Sequence, residues 1–174
     1  KGITLKKAKE ISEEMQRVNG IRDLMAFLGS FGVRPEDTVK VWKVYGQDSV
    51  ACIQEDPYRL CSDKIGISFA VADQLAESLE YDRDNRERVK AGVLYVLRHN
   101  TGNGHCCLPY EKLVKVSARM LEAEPEQMDD PLTMLAERED IISDTVDGTV
   151  FIYLPEMYEA ETYCAGRLMT ALAS

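Results

Sequence analysis

The chain has few of the residues on which metal centres and disulfide frameworks depend. Among its 174 residues are one tryptophan, two histidines and five cysteines. The cysteines are odd in number and never spaced Cys-x-x-Cys, which excludes a fully paired disulfide framework and, without a signal peptide, predicts a cytoplasmic location. Cys106 and Cys107 follow His105, but adjacent cysteines rarely bind one ion, so we expect no metal site.

Positive charge is also scarce. The 21 Lys and Arg against 30 Asp and Glu give a formal net charge of -9. A basic surface is the usual electrostatic mark of nucleic-acid binding, so any DNA contact has to come from local backbone N–H groups and a few lysines. No apolar run is long enough to span a bilayer, and we expect no membrane partner. An apolar fraction of 45% is enough for one domain or two small ones.

A short glycine motif occurs three times, at Gly2, Gly32 and Gly66. Each copy is glycine, a β-branched residue and a small or basic residue, followed by a helical run. Such recurrence indicates repeated supersecondary units. Glycine suits a tight turn, and the next helix begins with unpaired N–H groups that favour phosphate binding. An ordinary helix C-cap explains any one copy, but it explains three copies in register less well.

The first two copies differ in the charges that follow the turn. Lys6 and Lys7 follow the first turn, so amide donors and ammonium groups would act together on phosphates, and this copy is the favoured one. In the second copy, Glu36 and Asp37 occupy the first helical turn, where an anion would otherwise sit. Arg34 offsets them in part, but we expect packing to be the main role there.

The third copy combines polar and apolar signals. Ser68 is placed to cap the following helix and Lys64 lies nearby, whereas residues 69–71 are apolar and indicate contact with protein. Over the three copies, the residues predicted to contact DNA are Gly2, Ile3, Thr4, Lys6, Lys7, Lys9, Gly32, Arg34, Lys64, Gly66, Ile67 and Ser68.

Residues 1–82 have the periodicity of short helices separated by glycine turns, without a convincing strand. Apolar spacing predicts one helix that ends at Asn19-Gly20 and a second that ends at Gly29. The remaining predicted helices begin near Pro35, near Asp48 and near Phe69.

The charged stretch over residues 81–88 is the predicted boundary. Beyond it, apolar periodicity indicates helices over residues 89–97, 113–120 and 126–138. Two β-rich runs, 141–146 and 149–154, then flank Asp147-Gly148, a strong hairpin signal. Three helices followed by a hairpin outline a winged helix, and a closing helix follows from Glu156.

In a winged helix the third helix often enters the major groove. Here that helix has Glu126, Asp129, Asp130 and Glu137 against the single cation of Arg138. Phosphates would repel it, so packing or docking is the favoured role.

The three turns resemble helix-hairpin-helix motifs, whose consensus is Gly-hydrophobic-Gly-Pro-x-x-Ala. Ala8 and Ala72 match the small residue of the second helix, and Thr38 replaces it in the middle copy. The second glycine of the consensus is replaced in each copy, by Thr4, Arg34 and Ser68. A β-carbon there hinders the close approach of a DNA backbone.

Longer segments are similar to the N-terminal region of RecD-like DNA helicases, the RecD/TraA family that includes exodeoxyribonuclease V alpha subunits. They are residues 55–60, 65–73, 91–97, 104–109 and 153–161. The resemblance implies a mainly α fold, with a tandem helix-hairpin-helix bundle over residues 1–82. A winged-helix-like unit with a small β-hairpin over 86–155 and a helix over 156–174 would follow.

The resemblance also implies an ATP-dependent 5′-to-3′ DNA helicase of recombination and repair, with ATP and Mg²⁺ bound by motor domains that follow this region. The phosphate loop Gly-x-x-x-x-Gly-Lys-Ser/Thr is absent from the 174 residues. We therefore expect a piece of a longer protein, without a catalytic site or cofactor of its own.

Two functions stay open for this piece. The hairpins could contact the backbone of single-stranded or junction DNA, or they could be scaffold while the acidic surface docks on the motor domains or on a repair or replication protein. A base-excision enzyme with Asp56 as its catalytic carboxylate is a distant third, because Asp56-Pro57 fits a cap better.

Overall fold

The computed structural model describes residues 4–173, so Gly2 and Ile3 of the first glycine motif lie outside the described residues. The chain divides into two compact units, with the division between Asp82 and Arg83. The described part of the first unit is helical. Its elements are α1 (Leu5–Gly29), α2 (Pro35–Tyr45), α3 (Ser49–Glu55) and α4 (Phe69–Ser78), with 3-10 helices at Gly46–Asp48 and Pro57–Cys61.

Helix α1 is continuous through Gly20, so the predicted break at Asn19-Gly20 is wrong. The reason is a residue distant in sequence. A β-carbon built on Gly20 would lie 2.4 Å from Cη2 and 2.8 Å from Cζ3 of Trp42. Gly20 therefore admits the Trp42 ring against the helix backbone and does not terminate the helix. The contact also places Trp42 in protein packing and not in a stacking platform for bases.

The core of the first unit is formed by the second half of α1 and the helices packed on it. Leu24 and Leu28 are fully buried, whereas the apolar residues of the first half are exposed, including Met15 at 60%. Tyr58 holds the 3-10 helix against α4, because its hydroxyl lies 2.6 Å from Oδ1 of Asp73 and its ring stacks on Phe69 at 5.8 Å. These contacts fix the start of α4.

The second unit contains four helices and a small sheet among the described residues. They are α5 (Arg86–Gly102), β1 (Cys107–Pro109), α6 (Tyr110–Leu121), α7 (Asp129–Glu137), β2 (Ile142–Val146), β3 (Thr149–Tyr153) and α8 (Pro155–Leu172), with a 3-10 helix at Pro125–Met128. Helix α5 packs closely on α6 through Gly92, where a β-carbon would lie 2.7 Å from Cδ2 of Leu121. The Arg88 guanidinium donates to the Leu121 carbonyl at 2.9 Å and so caps the end of α6.

The sheet is antiparallel with the order β1-β3-β2. Strands β2 and β3 pair from Ile142 opposite Tyr153 to Val146 opposite Thr149. Asp147 and Gly148 have φ of 49° and 79°, as a two-residue hairpin turn with both central residues left-handed requires. The predicted hairpin is confirmed, and the order of helices and strands is that of a winged helix.

Both helices at the ends of the described chain have largely exposed surfaces. Residues 4–19 are exposed throughout, and α8 contains no buried residue. Among residues 4–173, no helix combines the length and the apolar character needed to cross a membrane. The mainly α fold expected from the sequence is confirmed.

Candidate nucleic-acid interface

The second and third glycine motifs form two hairpins that share a left-handed glycine and a hydrogen bond back across the turn, which spans five positions in the second motif and seven in the third. We call residues 28–38 the Gly32 hairpin and residues 60–72 the Gly66 hairpin. The two glycines have φ of 74° and 73°, in the left-handed region that favours glycine. The residue after each glycine donates its N–H back across the turn, Val33 to the Leu28 carbonyl at 3.3 Å and Ile67 to the Leu60 carbonyl at 3.0 Å.

Both turns are open at the glycine. A β-carbon built on Gly32 or Gly66 would meet no atom within 4 Å. The glycines are therefore needed for their backbone angle and not to avoid a neighbouring side chain. Val33 and Ile67, at 9% and 8% exposure, anchor the turns in the core. The backbone at Gly32 and Gly66 is therefore exposed, next to a buried side chain that fixes each turn.

The third residue of each motif is the N-cap of the following helix. Thr4, Arg34 and Ser68 have φ, ψ angles of -71°, 152°, of -72°, 150° and of -66°, 149°. Other N-caps of the chain are also extended, so this likeness alone is not diagnostic. In the Gly32 and Gly66 hairpins it comes together with the glycine angle and the returning hydrogen bond. Only the N-cap part of the first copy lies within the described residues.

The charges of the Gly32 hairpin are satisfied internally. Arg34 donates to Oδ2 of Asp37 from Nε at 3.0 Å and from Nη2 at 2.9 Å, and its Nη1 lies 3.0 Å from Glu36. Lys40 donates to Oδ1 of Asp37 at 2.7 Å. The Lys40 ammonium and then the Arg34 guanidinium hold the pKa of Asp37 below its ordinary value of 3.8. Carboxylates of the protein thus occupy the place of an anion at the start of α2, beside the guanidinium predicted to attract a phosphate.

In the Gly66 hairpin, the start of α4 lacks the carboxylates that stand at the start of α2. The first turn of α4 contains no acidic residue, and Ser68 stands at the N-cap without a capping hydrogen bond from its side chain. Lys64 is exposed and forms no ion pair with the residues the structure describes. The first N–H groups of an α-helix lack a carbonyl acceptor in a preceding turn, and in α4 the Val71 N–H donates to the Ser68 carbonyl at 3.1 Å. A helix start of this kind attracts an anion. Of the apolar residues 69–71 that the sequence predicts to contact protein, Phe69 is buried, Val71 is half-buried and Ala70 is exposed.

The first copy contributes an exposed cationic helix start. Thr4 caps α1 by accepting the Lys7 N–H at 3.3 Å. Lys6 and Lys7 form no ion pair within the described part of the chain, and Lys9 lies 3.9 Å from Glu13. Their ammonium groups are accessible.

Asp56 is a capping residue. Its Oδ1 accepts the Tyr58 N–H at 3.0 Å, which caps the 3-10 helix that follows, and its Oδ2 lies 3.6 Å from Arg59. The role of Lys40 beside Asp37 was missed from the sequence. The spacing of three residues between opposite charges on one helix was the signal that could have found it.

One comparison identifies the family. A family model described as the ATP-dependent RecD2 DNA helicase HHH domain matches residues 17–107, more than half of the chain. The chain belongs to this family, and the resemblance to RecD-like helicases is confirmed. The matched region includes the Gly32 and Gly66 hairpins and extends to β1, whereas the first glycine motif precedes it.

Proposed function

We propose that this chain is the accessory N-terminal region of a bacterial RecD-like 5′-to-3′ DNA helicase of recombination and repair, and that its hairpins contact the DNA backbone without sequence preference. ATP and Mg²⁺ would be bound by motor domains that contain a phosphate loop, a motif absent from these 174 residues. DNA with a single-stranded tail or a junction is the expected partner.

The observation that carries the proposal is the Gly66 hairpin. It combines an open left-handed glycine, a helix start without acidic residues and an unpaired lysine. Backbone N–H groups and a flexible ammonium bind phosphate oxygens without reading bases. The Gly32 hairpin, whose Arg34 is engaged by two carboxylates, would contribute less.

The test of this site is Ser68→Asp. Aspartate is as good an N-cap as serine, so the helix is preserved, but its carboxylate occupies the place proposed for a phosphate. We expect DNA affinity to fall about three- to tenfold and the salt dependence of log K to lose about one unit of slope. Fluorescence anisotropy with a labelled tailed duplex at several salt concentrations measures both quantities.

The matched control is Asn85→Asp, which makes the same charge change at the N-cap of α5. Asn85 accepts the Glu87 N–H at 2.8 Å, and aspartate can do the same. If Ser68→Asp and Asn85→Asp bind DNA with equal affinity, the Gly66 hairpin is not part of the DNA interface. The double variant Lys6→Glu with Lys7→Glu tests the first copy of the glycine motif. Its control is Arg138→Glu with Arg167→Glu, which makes the same charge change in the second unit.

A second function is favoured by the acidic winged helix. The predicted helix over 126–138 is shorter in the structure: Asp129, Asp130 and Glu137 are exposed on α7, whereas Glu126 is exposed on the 3-10 helix before it. Asp130 is paired with Arg86 at 3.2 Å. Such a surface suits docking on the helicase motor or on a basic surface of a repair or replication protein. A chain that binds no DNA at low salt, yet co-purifies with the motor domains, would support docking in place of DNA contact.

A further inference from the structure

The second unit contains an open groove along α6 that the hairpins do not involve. Its volume is about 570 Å³, within the usual range of ligand sites. The apolar lining consists of Val114 and Ala118 on α6 together with Ala123 and Pro125 from the loop that follows. We call this surface the α6 groove.

Tyr110 forms one wall of the groove and is fixed in place. Its hydroxyl lies 2.7 Å from Oδ1 of Asp129, at the start of α7. Burial, followed by the hydrogen bond to Asp129, raises the pKa of Tyr110 to about 12. The phenol is therefore neutral at physiological pH and bonded to the protein, and its ring presents a fixed aromatic surface to the groove.

The rim of the groove is positive although the chain as a whole is negative. Lys115 and Arg119 line it, and the exposed Lys112 continues the same helix edge at a spacing of three and then four residues. None of these three cations forms an ion pair with the residues that the structure describes. Glu111 also lines the groove, and the exposed Glu122 and Glu124 flank the lining residue Ala123, so the positive charge belongs to the edge of α6 and not to the whole groove.

We propose that the α6 groove binds a short acidic segment of another protein, one in which aspartate or glutamate alternates with apolar side chains. The apolar lining would receive the apolar side chains, and the cationic rim would pair with the carboxylates. A nucleic acid fits less well, because the floor offers hydrocarbon where a phosphate backbone needs hydrogen-bond donors. This inference does not depend on the DNA contact proposed for the hairpins.

The experiment measures binding of the 174-residue chain to a fluorescein-labelled peptide in which Asp alternates with Phe and Leu. Two control peptides replace either every Asp with Asn or every Phe and Leu with Ser. We expect both controls to bind at least about tenfold more weakly, because the apolar and the charged contacts are both required. A labelled tailed duplex is the nucleic-acid probe.

The variant pair Lys115→Glu with Arg119→Glu should weaken peptide binding about tenfold or more at low salt. Arg138→Glu with Arg167→Glu, of equal charge change, should leave it unchanged. Val114→Asp, with the fold checked by circular dichroism, should reduce binding through the apolar floor. Unchanged peptide binding in Lys115→Glu with Arg119→Glu overturns the proposal, as does absence of peptide binding. If the peptide does not bind the parent chain, and Lys115→Glu with Arg119→Glu abolishes duplex binding, the groove is assigned to nucleic acid.

Discussion

The ring of Trp42 occupies the space that any side chain at position 20 would need. A β-carbon there would lie 2.4 Å from the ring, so either the ring or α1 would have to move. Alanine favours a helix over glycine by about 1 kcal/mol, whereas overpacking costs about 1–3 kcal/mol. The packing effect is therefore expected to dominate.

Gly20→Ala should lower the free energy of unfolding by about 1–2 kcal/mol, measured by urea denaturation. Gly29→Ala is the control in the same helix, because a β-carbon at Gly29 meets no atom within 4 Å. It should be neutral or stabilising by up to about 1 kcal/mol. Equal effects of the two substitutions would mean that Trp42 does not pack on Gly20.

Asp37 makes stability depend on pH. Because the folded pKa lies below the ordinary 3.8, ionised Asp37 stabilises the fold above that value, and the contribution is lost as pH falls through the folded pKa. Asp37→Asn should therefore be less stable than the parent at neutral pH and approach it in strong acid. Denaturation curves at several pH values test this, with Asp23→Asn on the exposed side of α1 as control. A stability difference independent of pH would contradict the assignment.

At the scale of elements, the hairpins and the wing were predictable because their chemistry is local. Glycine at 32, 66 and 148 takes a backbone angle that other residues avoid, and the sequence shows it directly. Helix α1 was not predictable in the same way, because the contact with Trp42 joins residues far apart in the chain. The cationic rim of α6 also went unrecognised. The spacing of Lys112, Lys115 and Arg119 was visible, but the apolar floor beside them arises only from the fold.

The shared glycine conformation of the two described hairpins predicts similar costs of substitution. Gly32→Ala and Gly66→Ala each place a β-carbon in the left-handed region without a clash, so each should cost about 1 kcal/mol of unfolding free energy. Asparagine at either position should cost less, because it tolerates this conformation better. A cost near zero at one glycine alone would show that the two turns differ in solution.

At the scale of the whole molecule, the chain consists of two units with different electrostatic roles. The hairpin unit contains the helix start that we propose binds phosphate, and the winged-helix unit contains an acidic α7 and an α6 groove with a cationic edge. The acidic balance of α7 was readable from the sequence alone. The pairing of Arg34 with Asp37 and Glu36, which sets the Gly32 hairpin apart from the Gly66 hairpin, needed side-chain positions.

Division into two units predicts that each folds without the other. Separate polypeptides 1–82 and 83–174 should be helical by circular dichroism and unfold cooperatively on heating. A cut after residue 62 is the control. It separates Tyr58 from its partner Asp73, and we expect the piece 1–62 to be unfolded. Failure of both 1–82 and 83–174 to fold would show that the units are interdependent.

Amide NMR spectra of the chain, titrated with a short tailed DNA duplex, test whether the Gly66 hairpin contacts DNA. If the Gly66 hairpin contacts the DNA backbone, the amide signals of Ser68 and Ala70 shift progressively, those of Arg34 and Glu36 shift less, and all the shifts diminish as salt rises. Amide shifts confined to the winged-helix unit, or no shifts at low salt, would contradict the account.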